Sequence, residues 1–299
     1  MRRPWQSDLM SPGVVFVALL LIAFPISANS FWLVQIGAQT LIYGIIALGL
    51  TLLAGYGGMV SLAQMVIAGL AGYLIAILGV NSGGLGLGWP WPVVVIAAII
   101  AATIFGTLIG VLSVRTEGIY TIMITLAIAT GFFYFTRQNY VIFNGFTGFA
   151  GIKAPVIGGI DLREPMRFYY LSLAIAGLSY FGVAYLVRST FGIALQGVRD
   201  NARRMEALGY HVKAHRISAY AIASLLAAVG GILTVWMNDR IDPASIGVGP
   251  TIDILVIAVI GGLGHPIGAF IGALIFTLLD NFAIDLIDRE RFNTVIGTV

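Results

Sequence analysis

Long apolar stretches, separated by short segments rich in glycine, proline or charge, run through most of this chain. The stretches are continuous rather than alternating, which predicts helices and not β-strands. Most are long enough to cross a hydrocarbon core about 30 Å thick. The predicted spans cover residues 13–29, 33–54, 60–78, 93–114, 119–136, 168–187 and 217–237. The chain is therefore predicted to be an all-α, polytopic membrane protein.

Two glycine-rich breaks interrupt this pattern. Residues 252–280 would be about 43 Å long as one helix, which is too long for one span and short for two. Their interior reads GGLGHP from Gly261 to Pro266, which predicts half-helices or a re-entrant turn. The earlier break, Gly55-Tyr56-Gly57-Gly58, also interrupts an apolar stretch. One broken helix early in the sequence and one late are typical of the repeated halves of a transporter, in which the solute site lies near the breaks. The alternative is that these glycines only let helices pack closely. Counting half-helices, about eight to ten transmembrane helices are expected, in one domain over residues 1–299.

Composition and charge support a membrane protein with a defined orientation. The chain is 59% hydrophobic and 10% charged, with a mean hydropathy of +0.97 and a net charge of +3. Excess Lys and Arg in such a protein marks cytoplasmic loops rather than a nucleic-acid surface. Placing Arg2, Arg3, Arg115 and residues 188–216 on one side gathers nine of the 16 Lys and Arg there, so that side is predicted to be cytoplasmic. The 137–167 loop, with four basic residues, is then external.

The Arg-rich segment at 188–216, called here the 188–216 loop, lies between two predicted spans. On charge alone it would be a solvated loop that sets topology. However, Asn201 is placed to begin a helix and Gly209 to end one. An apolar stripe accompanies them, made of Ala194, Leu195, Val198, Met205 and Leu208. The pattern predicts two short helices with polar outer faces, which is typical of an ordered docking element.

Several kinds of site are missing from the sequence. Both lysines, Lys153 and Lys213, lack the glycine that precedes the lysine of a P-loop, and no Gly-x-Ser-x-Gly elbow occurs. His211 and His215 are four residues apart without the glutamate of a zinc protease. With no cysteine, neither a disulfide nor a cysteine metal site is possible. No enzyme activity, metal or cofactor is expected in this chain.

Polar groups within predicted spans are the candidates for solute contact, because burying them in a membrane is costly. Ser61 and Gln64 lie three residues apart behind the first break, where a helix N-terminus would suit the carboxylate of an amino acid. An interhelical hydrogen bond is the alternative role for this pair. Two further candidates have alternative roles that do not involve the solute: Asp253 could cap a helix, and Glu117 could pair with Arg115. The full candidate set for the solute pathway is Tyr56, Gly57, Gly58, Ser61, Gln64, Glu117, Tyr120, Thr125 and His265, with Thr121 and Asp253 also considered.

Five motifs give the chain a resemblance to a known family over essentially its whole length. They are residues 50–64 (LTLLAGYGGMVSLAQ), 115–127 (RTEGIYTIMITLA), 191–195 (FGIAL), 198–209 (VRDNARRMEALG) and 261–268 (GGLGHPIG). The chain resembles the LivM-type permease subunit of ATP-binding-cassette importers for branched-chain amino acids. The resemblance implies that the 188–216 loop docks on an ATPase subunit. It assigns this coupling role to Arg199, Asp200, Asn201, Arg203, Glu206 and Gly209.

The resemblance also implies partners and a location. A homologous LivH-like permease would complete the pathway, two LivG/LivF-like subunits would bind ATP and Mg²⁺, and an external binding protein would deliver a small amino acid. The complex would lie in the bacterial inner membrane, in contact with lipid, and no nucleic acid is involved. Family members usually carry an acidic residue in the loop that corresponds to 144–152, and they continue beyond the equivalent of residue 299. Urea or short amides, or a sugar, therefore remain alternative substrates. A secondary carrier or a neutral-solute channel remains the alternative of another class.

Overall fold

A computed structural model describes residues 21–25, 28–81, 84, 86–116, 118–157 and 159–286. Most of the predicted first span, Glu117 and residues 287–299 lie outside these ranges.

The described part of the chain is built from long apolar helices with little strand. Among the described residues, five helices are long and apolar enough to cross a membrane, and three apolar helices are shorter. The helices are α1 (Trp32–Tyr56), α2 (Gln64–Leu78), α3 (Trp91–Ser113), α4 (Ile119–Gln138), α5 (Pro165–Arg188), α6 (Thr190–Asp200), α7 (Ala202–Ala207), α8 (Val212–Asn238), α9 (Val248–Gly261) and α10 (Gly268–Leu286). The prediction of an all-α polytopic protein is confirmed.

Short strands and 3₁₀ turns lie in the connections. The strands are β1 (Phe149–Ala150), β2 (Val156–Ile157), β3 (Ile160–Asp161) and β4 (Arg240–Ile241). β1 pairs antiparallel with β4, and β2 pairs antiparallel with β3. The 3₁₀ turns are Gly145–Thr147 and Pro243–Ile246. The β1–β4 pair ties the 137–167 loop to the far end of α8.

Helix α1 forms the centre of the bundle. Within the most apolar 18 residues of α1, 89% of residues are buried, whereas the corresponding fraction is 22% in α4 and in α5. Small residues let its neighbours approach closely: a Cβ added at Gly49 would lie 2.9 Å from the carbonyl oxygen of Ala223 in α8, and one at Gly44 would overlap the ring of Phe270 in α10. Such contacts replace the hydrophobic effect as the source of helix association in lipid.

The two ends of the bundle differ in charge. Gly110 near the end of α3 packs on Tyr220 near the start of α8, so Arg115 and the 188–216 loop lie at the same end, called here the basic end. Among the described residues this end carries seven Lys and Arg, and the opposite end carries five. At the opposite end, the exposed side chains of Arg163, Arg167 and Arg240 form ion pairs with nearby carboxylates. The positive-inside rule thus favours the basic end as cytoplasmic.

The predicted spans agree with the observed helices to within a few residues, with two differences. Helix α8 begins at Val212, five residues before the predicted start at residue 217. Helix α2 begins at Gln64 rather than at residue 60, and its 15 residues extend only about 22 Å. Residues 57–63 are not helical, so the chain returns from the first break in irregular backbone before α2 begins. The predicted break within 252–280 is confirmed, since α9 ends at Gly261 and α10 begins at Gly268.

Candidate solute pathway and coupling surface

The first break is closed by hydrogen bonds from within the protein. The last turn of α1, Leu52–Tyr56, is π-helical. The Gly57 N–H donates to the carbonyls of Leu52 (3.2 Å) and Leu53 (3.1 Å), and the Met59 N–H donates to Leu53 (2.9 Å). Irregular backbone is tolerated at membrane depth only when its polar groups are satisfied in this way.

The two breaks meet at the basic end. The Tyr56 hydroxyl donates to the carbonyl oxygen of Gly264 at 3.0 Å, across 208 residues of sequence. A side chain at Gly55 would collide with the carbonyl oxygen of Leu263. Gly262 has φ +85°, which a glycine adopts without strain. Glycine is therefore required here for close backbone contact between the breaks, as well as for the turn itself.

Behind the first break lies a buried polar group of three candidate residues. Ser61, Gln64 and Thr125 are all buried. The Thr125 hydroxyl oxygen accepts from the Leu62 N–H at 3.1 Å, which joins α4 to the segment before α2. Neither side-chain atom of the Gln64 amide has a hydrogen-bond partner among the described residues. An unpaired buried amide costs about 1–3 kcal/mol, so Gln64 has unused capacity to bind a polar group.

The other candidates lie apart from this group. Tyr120 is 64% exposed near the start of α4, and Asp253 is half-buried in α9. Thr121 bonds to Thr116 in the preceding turn. His265 is exposed in the second break, where its Nδ1 atom is 3.3 Å from the Ile267 N–H that donates to it. Thus Tyr56, Gly57, Gly58 and His265 lie around the joined breaks, whereas Ser61, Gln64 and Thr125 lie deeper; Glu117 is outside the described residues.

The 188–216 loop is an ordered pair of short helices, each closed by a side chain or a glycine. The Ser189 hydroxyl accepts from the Gly192 N–H at the start of α6, and Asn201 Oδ1 accepts from the Arg204 N–H at 2.9 Å at the start of α7. Gly209, with φ +87°, ends α7. Its N–H donates to the backbone carbonyl oxygen of Glu206, and the Tyr210 N–H donates to the backbone carbonyl oxygen of Met205 at 3.0 Å. These two bonds form the Schellman pattern. The sequence pattern predicts the caps at Asn201 and Gly209, and the structure adds the one at Ser189.

One face of the loop packs on the bundle and the other is open. Ala194, Leu195 and Val198 are buried, whereas α7 has no buried residue. The ring of His215 stacks on Phe191 with centroids 5.6 Å apart. Leu208, expected to belong to the apolar stripe, is instead 69% exposed. It occupies the C-cap position of α7, where the helix has ended and its side chain no longer follows the helical stripe.

All six coupling candidates are exposed, but they do not all point away from the bundle. Asn201, Arg203, Glu206 and Gly209 are exposed on or beside α7. Arg199 instead turns toward the bundle and donates from Nη1 to the carbonyl oxygen of Gly55 at 2.5 Å. Its Nε donates to Asp200 Oδ1 at 2.9 Å. Sequence spacing gives no sign of this contact, because 144 residues separate its two ends.

No group of three His, Asp or Glu side chains in the described ranges is placed to hold a metal ion. The two histidines four residues apart contact each other through the backbone: the Nδ1 atom of His215 lies 3.1 Å from the carbonyl oxygen of His211, within hydrogen-bond distance.

Comparison with known proteins gives consistent matches. The family model described as "Branched-chain amino acid transport system / permease component" matches residues 32–299. The high-affinity branched-chain amino acid transport system permease protein LivM of Escherichia coli is 25% identical over 289 residues, covering 88% of this chain and 66% of the relative. The nucleoside ABC transporter permease protein NupC of Lactococcus lactis is 25% identical over 240 residues, covering 76% and 74%. The ribose import permease protein RbsC of Haemophilus influenzae is 22% identical over 298 residues, covering 95% and 86%. The chain thus spans just under two thirds of the LivM relative. No solved structure matches it.

Proposed function

Because the chain belongs to the family of permease components of branched-chain amino acid transport systems, we propose that it forms one half of the membrane pathway of an ATP-driven importer. As a member of that family it is an integral, multi-pass protein of the cell (inner) membrane. The relatives are permease proteins by name, in agreement with the expectation that this chain has no catalytic centre of its own. ATP and Mg²⁺ would be bound by two LivG/LivF-like partner subunits, and a homologous LivH-like permease would complete the pathway. An extracytoplasmic binding protein would deliver the solute.

The observation that best supports ATP-driven transport is the architecture of the 188–216 loop. A loop that only sets topology needs positive charge and no fixed conformation. Here two capped helices are held against the bundle by a buried apolar face, and α7 is left open. A rigid projection with a charged outer face can transmit a displacement from a partner subunit, which a disordered loop cannot. The exposed residues assigned to docking are Asn201, Arg203, Glu206 and Gly209.

The buried polar group behind the first break is the proposed site of solute contact. Gln64 begins α2, and the N–H groups in the first turn of a helix attract anions. Its own amide is buried without a partner among the described residues. Together with Ser61 it offers donors to a carboxylate, which favours an amino acid as solute. Tyr56, Gly57, Gly58 and His265 then lie on the basic-end side of this site, where solute would leave.

A small apolar amino acid, of the branched-chain type, is the proposed substrate. The LivM relatives are named for branched-chain amino acid transport, and the family model has the same description. Other relatives are named for nucleoside and ribose transport, and they support the alternative that the chain moves a small polar solute of that kind. Urea or a short amide is the remaining alternative within this class. Uptake of labelled leucine, ribose and a nucleoside by the complete transporter in liposomes would decide among these solutes.

Two substitutions in the loop test the coupling role. Arg203→Glu reverses an exposed charge at a stability cost expected within about 0.5 kcal/mol. Gly209→Pro removes the N–H that bonds to Glu206 and excludes φ +87°, so the end of α7 must change. Both variants are expected to insert normally and to lose uptake while the ATPase subunits still hydrolyse ATP. Normal uptake in both would contradict the coupling role.

A further inference from the structure

Arg199 connects two segments that are far apart in sequence, the end of α6 and the first break. It extends from the end of α6, donates to the Gly55 carbonyl in the first break, and pairs with Asp200 at 2.8 Å through Nη2. The first break is in turn joined to the second by the bond from Tyr56 to Gly264. The guanidinium group thus bonds directly to the first break, and Tyr56 joins that break to the second.

Gly58 makes room for this arginine. It has φ +66°, and a Cβ built on it would lie 2.6 Å from Cγ and 3.4 Å from Cβ of Arg199. Any side chain at Gly58 would therefore push the methylene chain of Arg199 away from the backbone on which it lies. The requirement is specific, because Gly88 has φ +67° and no atom within 4 Å of the same built position.

From these contacts we infer that Arg199 is a positioning residue that fixes the 188–216 loop to the first break, and through the Tyr56–Gly264 bond to the second, so that the loop and the breaks move as one body. The inference rests on the proposed function in one respect: the movement originates in an ATPase subunit docked on α7. The planar guanidinium group of Arg199 is suited to this positioning role, because its N–H groups bind the Gly55 carbonyl and the Asp200 carboxylate at the same time. Lysine, a point donor on a flexible stem, cannot hold both acceptors in this geometry.

A disulfide can replace the arginine contact, and the natural chain contains no cysteine to interfere. The built Cβ of Gly58 is 3.4 Å from that of Arg199, close to the lower end of the range found in disulfides, about 3.5–4.5 Å. The Gly58→Cys, Arg199→Cys double variant should oxidise readily, as measured by loss of both thiols to maleimide labelling. The control pair Gly88→Cys, Arg199→Cys has a matching φ at the opposite end of the bundle and should keep its thiols.

Uptake by the complete transporter in liposomes then tests whether the contact transmits movement. Losing a hydrogen bond from a charged group should lower uptake per ATP about tenfold in the reduced double variant, and oxidation should restore it. Arg199→Lys should be impaired, while Arg163→Lys, the same change on an exposed arginine at the opposite end of the bundle, should behave as wild type.

Two results would overturn the inference. Free thiols that persist after oxidation, in a protein that inserts normally, would show that the contact is absent. A disulfide that forms but leaves uptake at the reduced level would show that the loop and the breaks do not move as one body. If the wild-type complex itself lacked ATP-dependent uptake, the proposed function would fall, and the thiol measurement would still decide whether the contact exists.

Discussion

Asn201 lies between the two helices of the 188–216 loop, and removing its side chain should weaken coupling without unfolding the bundle. Its Oδ1 atom accepts from the Arg204 N–H at 2.9 Å, and it is the one side chain that caps the start of α7. A helix of six residues is not stable alone, so its caps carry much of its order. Asn201→Ala should cost about 1 kcal/mol, which lowers the ordered population of α7 about fivefold relative to its frayed state.

The effect should be confined to the loop, because α7 contains no buried residue and the membrane helices do not depend on it. The expected result is normal insertion and melting temperature with reduced uptake per ATP hydrolysed, measured in liposomes with the complete transporter. Asn201→Asp retains a capping oxygen and should restore coupling. A matched control is Asn139→Ala, which removes an equivalent 2.9 Å bond to the Ile142 N–H at the opposite end. Wild-type coupling in Asn201→Ala, or failure of the aspartate variant to rescue it, would refute the reasoning.

Three further substitutions probe the breaks and the helix packing. Gly57→Leu should lower uptake per inserted molecule, because a Cβ there lies 2.8 Å from the Leu53 carbonyl oxygen; wild-type uptake would remove Gly57 from the pathway. Gly231→Ala should lower stability by about 1–3 kcal/mol in a detergent melt, since its Cβ would strike the backbone of α2, whereas Gly177→Ala in open space should raise it slightly. Equal melting temperatures for these two would contradict the packing. Thr125→Val should cost about 1–3 kcal/mol by leaving a buried N–H unpaired, and Thr125→Ser should not; a stable valine variant would mean that another group takes over the bond.

Local signals in the sequence predicted much of this architecture. Apolar length located the spans, Gly261 to Pro266 located the second break, and Asn201 with Gly209 located α7, because each depends on residues adjacent in the chain. The exposure of Leu208 was predicted wrongly, since a helical stripe was extended past the end of its helix.

The relations between segments could not be read from the sequence. The pattern treats Arg199 as one more charge of a basic loop, yet its partner is the carbonyl of Gly55. The late start of α2 has a similar origin, because the irregular backbone before it depends on the hydroxyl of Thr125 in another helix. Hydroxyl and guanidinium contacts across 60 or more residues leave no periodic trace. The candidate residues for the pathway and for coupling therefore appear in the sequence as two separate sets, although in the fold Arg199 of one set lies against Gly58 of the other.

The most direct test of the central claim is to tag this chain, extract it from its native membrane in mild detergent, and identify the proteins that co-purify by mass spectrometry. The account predicts two ATPase subunits and a second multispanning permease, whose neighbouring genes would supply the binding protein for ligand tests. Recovery of the chain alone, together with solute flux in liposomes that lack ATP, would contradict it and would identify a carrier or a channel.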